Sequence, residues 1–496
     1  MLRLLLIVVS LAVIQGAGTA QTPTQPPQYE ETACSHWLPL TIPARCGHVS
    51  VPEARDPDVI PDESDTLRLA VIVSESDSET RQPDPIIFLG GGPGAHILWL
   101  ADDLMNFLRQ NYPDRDIIVF DQRGVGASEA DLTCPAIAEL GYELLNAPPN
   151  PAIANARFKT ELLACHRAQS ANGVNHAAYT TTASATDIID IADALGYEQI
   201  NLIGVSYGTR LALETLRAYP ERIRSAILDS AVPPQIDILG EMIYVANDAF
   251  EQFFARCAAD TACATRYPDL RADFYANVAR LNADPVRERF YDRSSGIMRQ
   301  VTFNGSDMIN TTFNMMYNTS RLMDLPGVIA AARDGRYEPY IDFMLFNLAG
   351  SGHNSDSLFM TMTCREEFPF HTRDDERLAQ LSPDFREAML SNLAFFDETC
   401  DALGLPPAAA RINTAVYSDV PVLLLSGDLD PVTPPTWAAL AAETLSQSAH
   451  YTFMGYGHAL SGDHPCIVAL AQDFLAAPES LPQPRCPDEM VTVGVP

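Results

Sequence analysis

From about Leu67 onward, short apolar runs alternate with stretches whose apolar residues recur at helical spacing. RLAVIV (68–73), PIIFLGG (85–91) and DIIVFDQRG (116–124) are runs of strand length bounded by proline, glycine or aspartate. Helical spacing is found around Ile97 to Leu108, near Ala156 to Ala168 and from Ala183 to Leu195. NLIGVSYGTRLAL (201–213) then breaks at Gly204-Val205-Ser206-Tyr207-Gly208 and resumes with Leu211, Ala212, Leu213 and Leu216 on one side of a helix. IRSAILDS (223–230) is the next apolar run. Runs apolar at consecutive positions are buried on both faces, and strands separated by helices of this length form a mainly parallel sheet. The predicted fold class is therefore α/β, with helices on both faces of the sheet.

The alternation lapses between residues 233 and 410, where helical segments such as Glu241 to Cys257 and Arg271 to Leu281 occur with hardly any strand-like runs. It resumes with VPVLLLSGDLDPVTPP (420–435), a helix over Thr436 to Leu445, HYTFMGYGHAL (450–460) and a helix over Pro465 to Leu475. The economical reading is one α/β domain, residues 34–232 and 411–496, interrupted by a mostly helical insertion over 233–410. No internal repeat is evident. Residues 1–20 have one positive charge at Arg3, an apolar stretch from Leu4 to Ile14 and small residues before Gln21, the pattern of a cleaved secretory signal. A membrane anchor is the competing reading, and the uninterrupted apolar run is short for it. Residues 21–33 are a Pro/Gln-rich tether.

Composition narrows the partners. With 64 acidic and 32 basic residues the chain carries a formal charge of −32, which repels nucleic acid and anionic membranes. Lys159 is the only lysine. The ten cysteines are dispersed and form no C-x-x-C, so export and disulfides are expected rather than a metal site. Pairing of sequence neighbours is the simplest connectivity: Cys34–Cys46, Cys134–Cys165, Cys257–Cys263, Cys364–Cys400 and Cys466–Cys486.

Candidate chemistry collects where strands end, the side on which open parallel sheets bind ligands. Ser206 sits in G-x-S-x-G on a strand-to-helix turn, a setting that exposes a serine hydroxyl for attack. FLGGGPGAH (88–96) offers backbone N–H groups at Gly91 or Gly92 that, with that of Tyr207, would hold a developing oxyanion. Asp430 follows a buried strand and precedes a proline-fixed turn, with Asp428 as its competitor; His458 follows the next strand, with His464 six residues on. The order Ser206, Asp430, His458 is that of α/β-hydrolases and not of chymotrypsin-like or subtilisin-like enzymes. FDQRGVGAS (120–128) lacks G-x-G-x-x-G, so no dinucleotide cofactor is expected.

Taken together, GGGPGAH, DQRGVGAS, GVSYGTRLAL, ILDSAVPP, GDLDPVTPP and GYGH resemble the exported α/β-hydrolases of the prolyl iminopeptidase and tripeptidyl aminopeptidase group. The resemblance spans about Cys34 to Cys486 and departs at Gly90, where prolyl iminopeptidases usually carry histidine. It implies a triad of Ser206, Asp430 and His458, an oxyanion hole of Gly91 or Gly92 with Tyr207, a helical cap over 233–410 and a C-terminal segment like that of the tripeptidyl aminopeptidases. It also implies an anionic anchor for the substrate's amino terminus, for which MTCREEFPF (362–370) supplies Glu366 and Glu367. Tyr207, Arg123 and Arg210 are read as structural side chains. The activity expected is that of a secreted or periplasmic serine exopeptidase on peptides with a free amino terminus, without metal or organic cofactor. The alternatives are a carboxylester hydrolase and, more distantly, a non-catalytic binding domain. Step length, proline preference and oligomeric state stay open.

Overall fold

The computed structural model describes residues 27–34, 39–55, 66–462, 464–487 and 490–493. The expected signal segment and the first part of the tether lie outside the described residues. The main sheet has ten strands: β1 (Tyr29–Thr32), β2 (Arg45–Pro52), β3 (Thr66–Ser74), β4 (Ile86–Leu89), β5 (Ile117–Phe120), β6 (Ile200–Val205), β7 (Ile223–Asp229), β10 (Val422–Gly427), β11 (Ser448–Phe453) and β12 (Val491–Val493). A separate hairpin pairs β8 (Val286–Asp292) with β9 (Ile297–Phe303). The spatial order is β1-β2-β3-β5-β4-β6-β7-β10-β11-β12. From β5 across to β11 every neighbouring pair is parallel, and the outer pairs are antiparallel.

The central strands are apolar at nearly every position because both faces are covered. Leu202, Leu228 and Leu424 pack with Ile188, Leu211 and Ala438 of the helices Thr181–Leu195, Tyr207–Ala218 and Pro435–Ala442. Their strand neighbours Ile203, Ile227 and Leu425 turn the other way, against Met105 and Leu470 of the helices Ala101–Asn111 and Pro465–Ala476. This is the period-two alternation of a strand read out as two separate cores.

Between β7 and β10 the chain forms helices around its own aromatic core, which includes Phe250, Phe274, Phe303 and Phe385. The β8–β9 hairpin in this segment departs from the expectation of an almost strand-free insertion. In β8 only Phe290 and Asp292 are buried, so the run VRERFYD carries little apolar signal. Five disulfides close: Cys34–Cys46, Cys134–Cys165, Cys257–Cys263, Cys364–Cys400 and Cys466–Cys486. Such bonds persist in oxidising compartments outside the cytoplasm. Among the described residues no helix is long and apolar enough to cross a membrane.

Candidate active site

Ser206 links β6 to the helix Tyr207–Ala218 with φ 57° and ψ −126°, a conformation that costs a non-glycine residue energy and is kept only where the surroundings enforce it. They do so here through contact. A Cβ on Gly204 would lie 2.6 Å from Gly208 O, and one on Gly208 would overlap Leu89 O of β4. The glycines flanking Ser206 are thus required by close approach of the helix to the sheet. Ser206 N–H donates to Asp229 O (3.0 Å), which ties the turn to the end of β7.

Asp430 lies in the turn after β10 and is almost wholly buried. Its Oδ1 accepts the Val432 and Thr433 N–H groups, each at 2.9 Å, and its Oδ2 accepts the Thr433 hydroxyl at 2.6 Å. His458 Nδ1 stands 2.8 Å from Asp430 Oδ2 and 3.2 Å from Thr433 Oγ1. Burial alone would push the Asp430 carboxyl up, but the His458 charge and the hydrogen bonds of His458 and Thr433 outweigh it and hold it below its ordinary range. Burial would likewise depress His458; Asp430 first, and then Asp229, raise it instead. From the insertion, Tyr317 packs its ring edge-on to His458 at 4.9 Å and its carbonyl accepts the His458 N–H at 2.9 Å.

The competitors have other partners. Asp428 accepts Gly455 N–H (2.6 Å) and Gln252 (2.9 Å) and is ion-paired with Arg256. His464 caps the helix Pro465–Ala476, accepting the Cys466 N–H at 3.2 Å. Arg123 is buried in a two-point pair with Asp187, at 2.7 Å for both contacts.

Ser206, Tyr207, Gly92, Arg210, Glu366 and Glu367 line a single cavity of about 190 Å³. Thr433 and Tyr317, which both touch His458, line it too, and apart from Thr363 its remaining wall is apolar, with Met242, Phe396 and Trp437. A Cβ on Gly91 would sit 3.1 Å from that of Ser206, so the glycine turn passes directly over the serine. Tyr207 opens its helix, where backbone N–H groups have no partner within the helix. The glycine turn is braced from β5: Asp121, fully buried, accepts the Leu98 N–H at 3.0 Å and meets His96 Nε2 at 3.1 Å.

Glu366 and Glu367 are consecutive residues of one π-helical turn, Thr363–Glu367, which the Cys364–Cys400 bond ties to the helix Pro383–Leu403. Their contacts differ. Glu366 receives Thr181 N–H on one oxygen (2.7 Å) and the Thr181 hydroxyl on the other (2.6 Å). Glu367 pairs through one oxygen with Arg210 Nη2, 2.9 Å away. Burial raises Glu366 against the pull of Arg210 and Thr181, and pushes Glu367 up to about 7 against Arg210. Thr433, Tyr317, Thr181 and Asp229 were absent from the sequence reading of the site. Asp229 had a usable signal, an aspartate closing an apolar run in ILDSAVPP, as Asp121 follows one in DQRG.

A family model described as alpha/beta hydrolase fold matches residues 84–318, and one described as TAP-like protein matches residues 385–486. The chain has the α/β-hydrolase fold. The first match contains Gly91, Gly92, Ser206 and Tyr207, and the second contains Asp430 and His458; Glu366 and Glu367 fall between them. Over 454 residues the chain is 26% identical to the serine protease Hip1 of Mycobacterium tuberculosis, an alignment covering 87% of this chain and 85% of the relative. It is 25% identical over 456 residues to the putative hydrolase YuaR of Escherichia coli, covering 85% and 84%. It is 29% identical over 216 residues to a tripeptidyl aminopeptidase of Streptomyces lividans, covering 42% and 39%.

Proposed function

We propose that this α/β-hydrolase is an exported serine peptidase that removes one or a few residues from the free amino terminus of peptides. Ser206 is the nucleophile. His458 takes its proton, then donates it to the leaving amine, and afterwards activates water to release the acyl group. Asp430 fixes the imidazole with Nε2 available to Ser206 and stabilises the charged ring. Gly91 or Gly92 and Tyr207 provide the N–H groups for the oxyanion, each donor typically worth about 3 kcal/mol of barrier. The insertion over 233–410 is the cap that limits access to peptide ends.

The observation that carries the peptidase reading is the charge of the cavity. Two carboxyl groups and one guanidinium line the space that also holds Ser206, which is anionic once both are ionised, above about pH 7 for Glu367, and a substrate's ammonium group would then complete the balance. Of the two, Glu367 is the one with an oxygen facing no protein donor among the described contacts, while Glu366 holds the turn through Thr181. A blocked peptide would leave this charge uncompensated, a costly outcome for buried groups. The names of relatives such as the Hip1 protease and the tripeptidyl aminopeptidase support the same class.

The test is hydrolysis of fluorogenic one-, two- and three-residue substrates, each with free and blocked amino termini, beside an aryl ester. Selective turnover of the free-amine set is expected, and its length preference gives the step. Equal turnover of blocked and free peptides would overturn the amine anchor, and turnover of the ester with neither peptide set cleaved would assign the protein to the acyl esterases.

A further inference from the structure

Asp229, the last residue of β7, is a fully buried carboxylate that the triad chemistry leaves without a role. Its surroundings are specific. Asp229 Oδ1 accepts the Leu460 N–H at 3.1 Å and the Ser230 hydroxyl at 3.2 Å, and Oδ2 accepts the Ser461 N–H at 2.7 Å. The Ser230 oxygen in turn accepts the Ala459 N–H at 2.9 Å. Every residue from Ala459 to Ser461, the three that follow His458, is therefore fastened to the end of β7. Two of the residues in this junction, Ser230 (φ 61°) and Ala459 (φ 63°), hold left-handed conformations that non-glycine residues avoid. The Asp229 carbonyl receives the Ser206 N–H at 3.0 Å.

We propose that Asp229 is a positioning residue that fixes the His458 loop against the Ser206 turn and adds a second negative charge favouring the imidazolium form of His458. Both of its oxygens accept donors, the arrangement of an ionised carboxylate. Burial pushes Asp229 up from its ordinary range, while the Ser461 and Leu460 donors and the His458 charge oppose that rise. The titratable groups facing it are the His458 ring and the Tyr112 phenol, which follows the helix Ala101–Asn111; no arginine is ion-paired with it among the described residues. His458 is faced by Asp430, Asp229 and Tyr317. Small displacements of a general base cost large factors in rate, so tethering one strand end to the Ser206 backbone and to the loop that follows His458 has a direct catalytic consequence.

The inference rests on the serine-hydrolase reading, and the test separates the two. The rate at which an aryl fluorophosphonate labels Ser206 is measured across pH for the wild type and for Ser206→Ala, Asp229→Asn and Ser230→Ala. Asp229→Asn is expected to label roughly 10- to 100-fold more slowly, with its acid limb moved down by about 0.5 to 1 pH unit because His458 loses a stabilising negative charge. Ser230→Ala keeps the charge and is expected to label a few-fold more slowly with the limb unmoved. An Asp229→Asn protein with an unmoved acid limb, whatever its rate, overturns the proposal. Should Asp229→Asn fail to fold, Ser230→Ala decides, and a wild-type rate there overturns it. If the wild type is not labelled, or Ser206→Ala is labelled equally, the serine-hydrolase reading falls first and takes the proposal with it.

Discussion

Ser206, Asp229, Asp430 and His458 stand at or just beyond the ends of neighbouring parallel strands, each held by the backbone on either side. Glu366 and Glu367 stand in one irregular turn of the insertion, held by a disulfide and by contacts to Thr181 and Arg210. The two regions meet at one cavity, which Ser206 lines from the first and Glu366 and Glu367 from the second. Strand ends give the precision that bond-making needs, and a turn in an inserted segment gives a recognition group that can differ between relatives without disturbing the sheet. Substitutions in the first region should therefore remove chemistry, and those in the second should change which substrates are handled.

The largest break is at Ser206. Ser206→Ala should lower kcat by about 10³-fold or more while KM for free-amine peptides stays within a few-fold, since the cap and its carboxylates are untouched. A KM change as large as the kcat change would show that the two regions are not separable. Next comes Glu367→Gln, with an expected loss of roughly 10- to 100-fold in kcat/KM for free-amine substrates, carried mainly by KM, and no loss for an aryl ester. The sign of its pH dependence is fixed: with its carboxyl raised to about 7, Glu367 loses its charge as pH falls through that value. KM for free-amine peptides should therefore rise below about pH 7 in the wild type, and that limb should vanish in Glu367→Gln.

A smaller effect distinguishes the disulfides. Removing Cys364–Cys400 by double alanine substitution should lower unfolding stability by about 2–4 kcal/mol and raise KM for free-amine peptides a few-fold, because this bond anchors the turn carrying both glutamates. Removing Cys257–Cys263, whose residues are only 6 apart in sequence against 36, should cost less stability and leave KM unchanged. Denaturant titration and steady-state kinetics on the same preparations check both.

The same division governs what could be read from the sequence. The strand ends were legible because a parallel strand buried on both faces leaves an unbroken apolar run, and the candidate residues lie in the turns that follow: Ser206 after β6, Asp430 after β10, His458 after β11. Where strands are covered on one side or carry charge, the signal fails. β2, with its alternation of buried and half-exposed residues, and the Arg/Glu-rich β8 went unread for that reason. The partners that organise the site were harder still. Tyr317 and Thr181 lie far in sequence from His458 and Glu366, and nothing local to either announces the contact. The proline-fixed turn favours Asp430 over Asp428, and the structure adds the partners that sequence does not display: Asp428 is ion-paired with Arg256 of the helix Ile238–Ala259, while Asp430 lies beside His458.

The smallest expected effect probes how the insertion meets the core. His176 stacks on His166 with ring centroids 3.6 Å apart, and the Nε2 atoms of both are buried without hydrogen-bond partners among the described residues. Thr361, in the insertion's helix Asp356–Met362, reaches His176 Nδ1 at 3.4 Å, so the pair lies at the junction. Burial, and then repulsion from His166, push His176 down to about 4 from an ordinary 6.5, and burial lowers His166 as well. His450 on β11, beside Ser426 at 3.0 Å, is also pushed down to about 4 by burial. Between about pH 6.5 and 4 the unfolded chain binds protons at these positions that the folded chain refuses, so stability is complete above 6.5 and declines as pH falls towards 4. His176→Phe keeps a stacking ring but cannot titrate. It should flatten the fall of Tm over that window without changing Tm near pH 8 by more than a few degrees, and hydrogen exchange at pH 5 should show less opening around Thr361. An unchanged slope in His176→Phe, together with a flattened one in His450→Asn, would place the acid-sensitive point in the sheet and leave the junction between cap and core indifferent to pH.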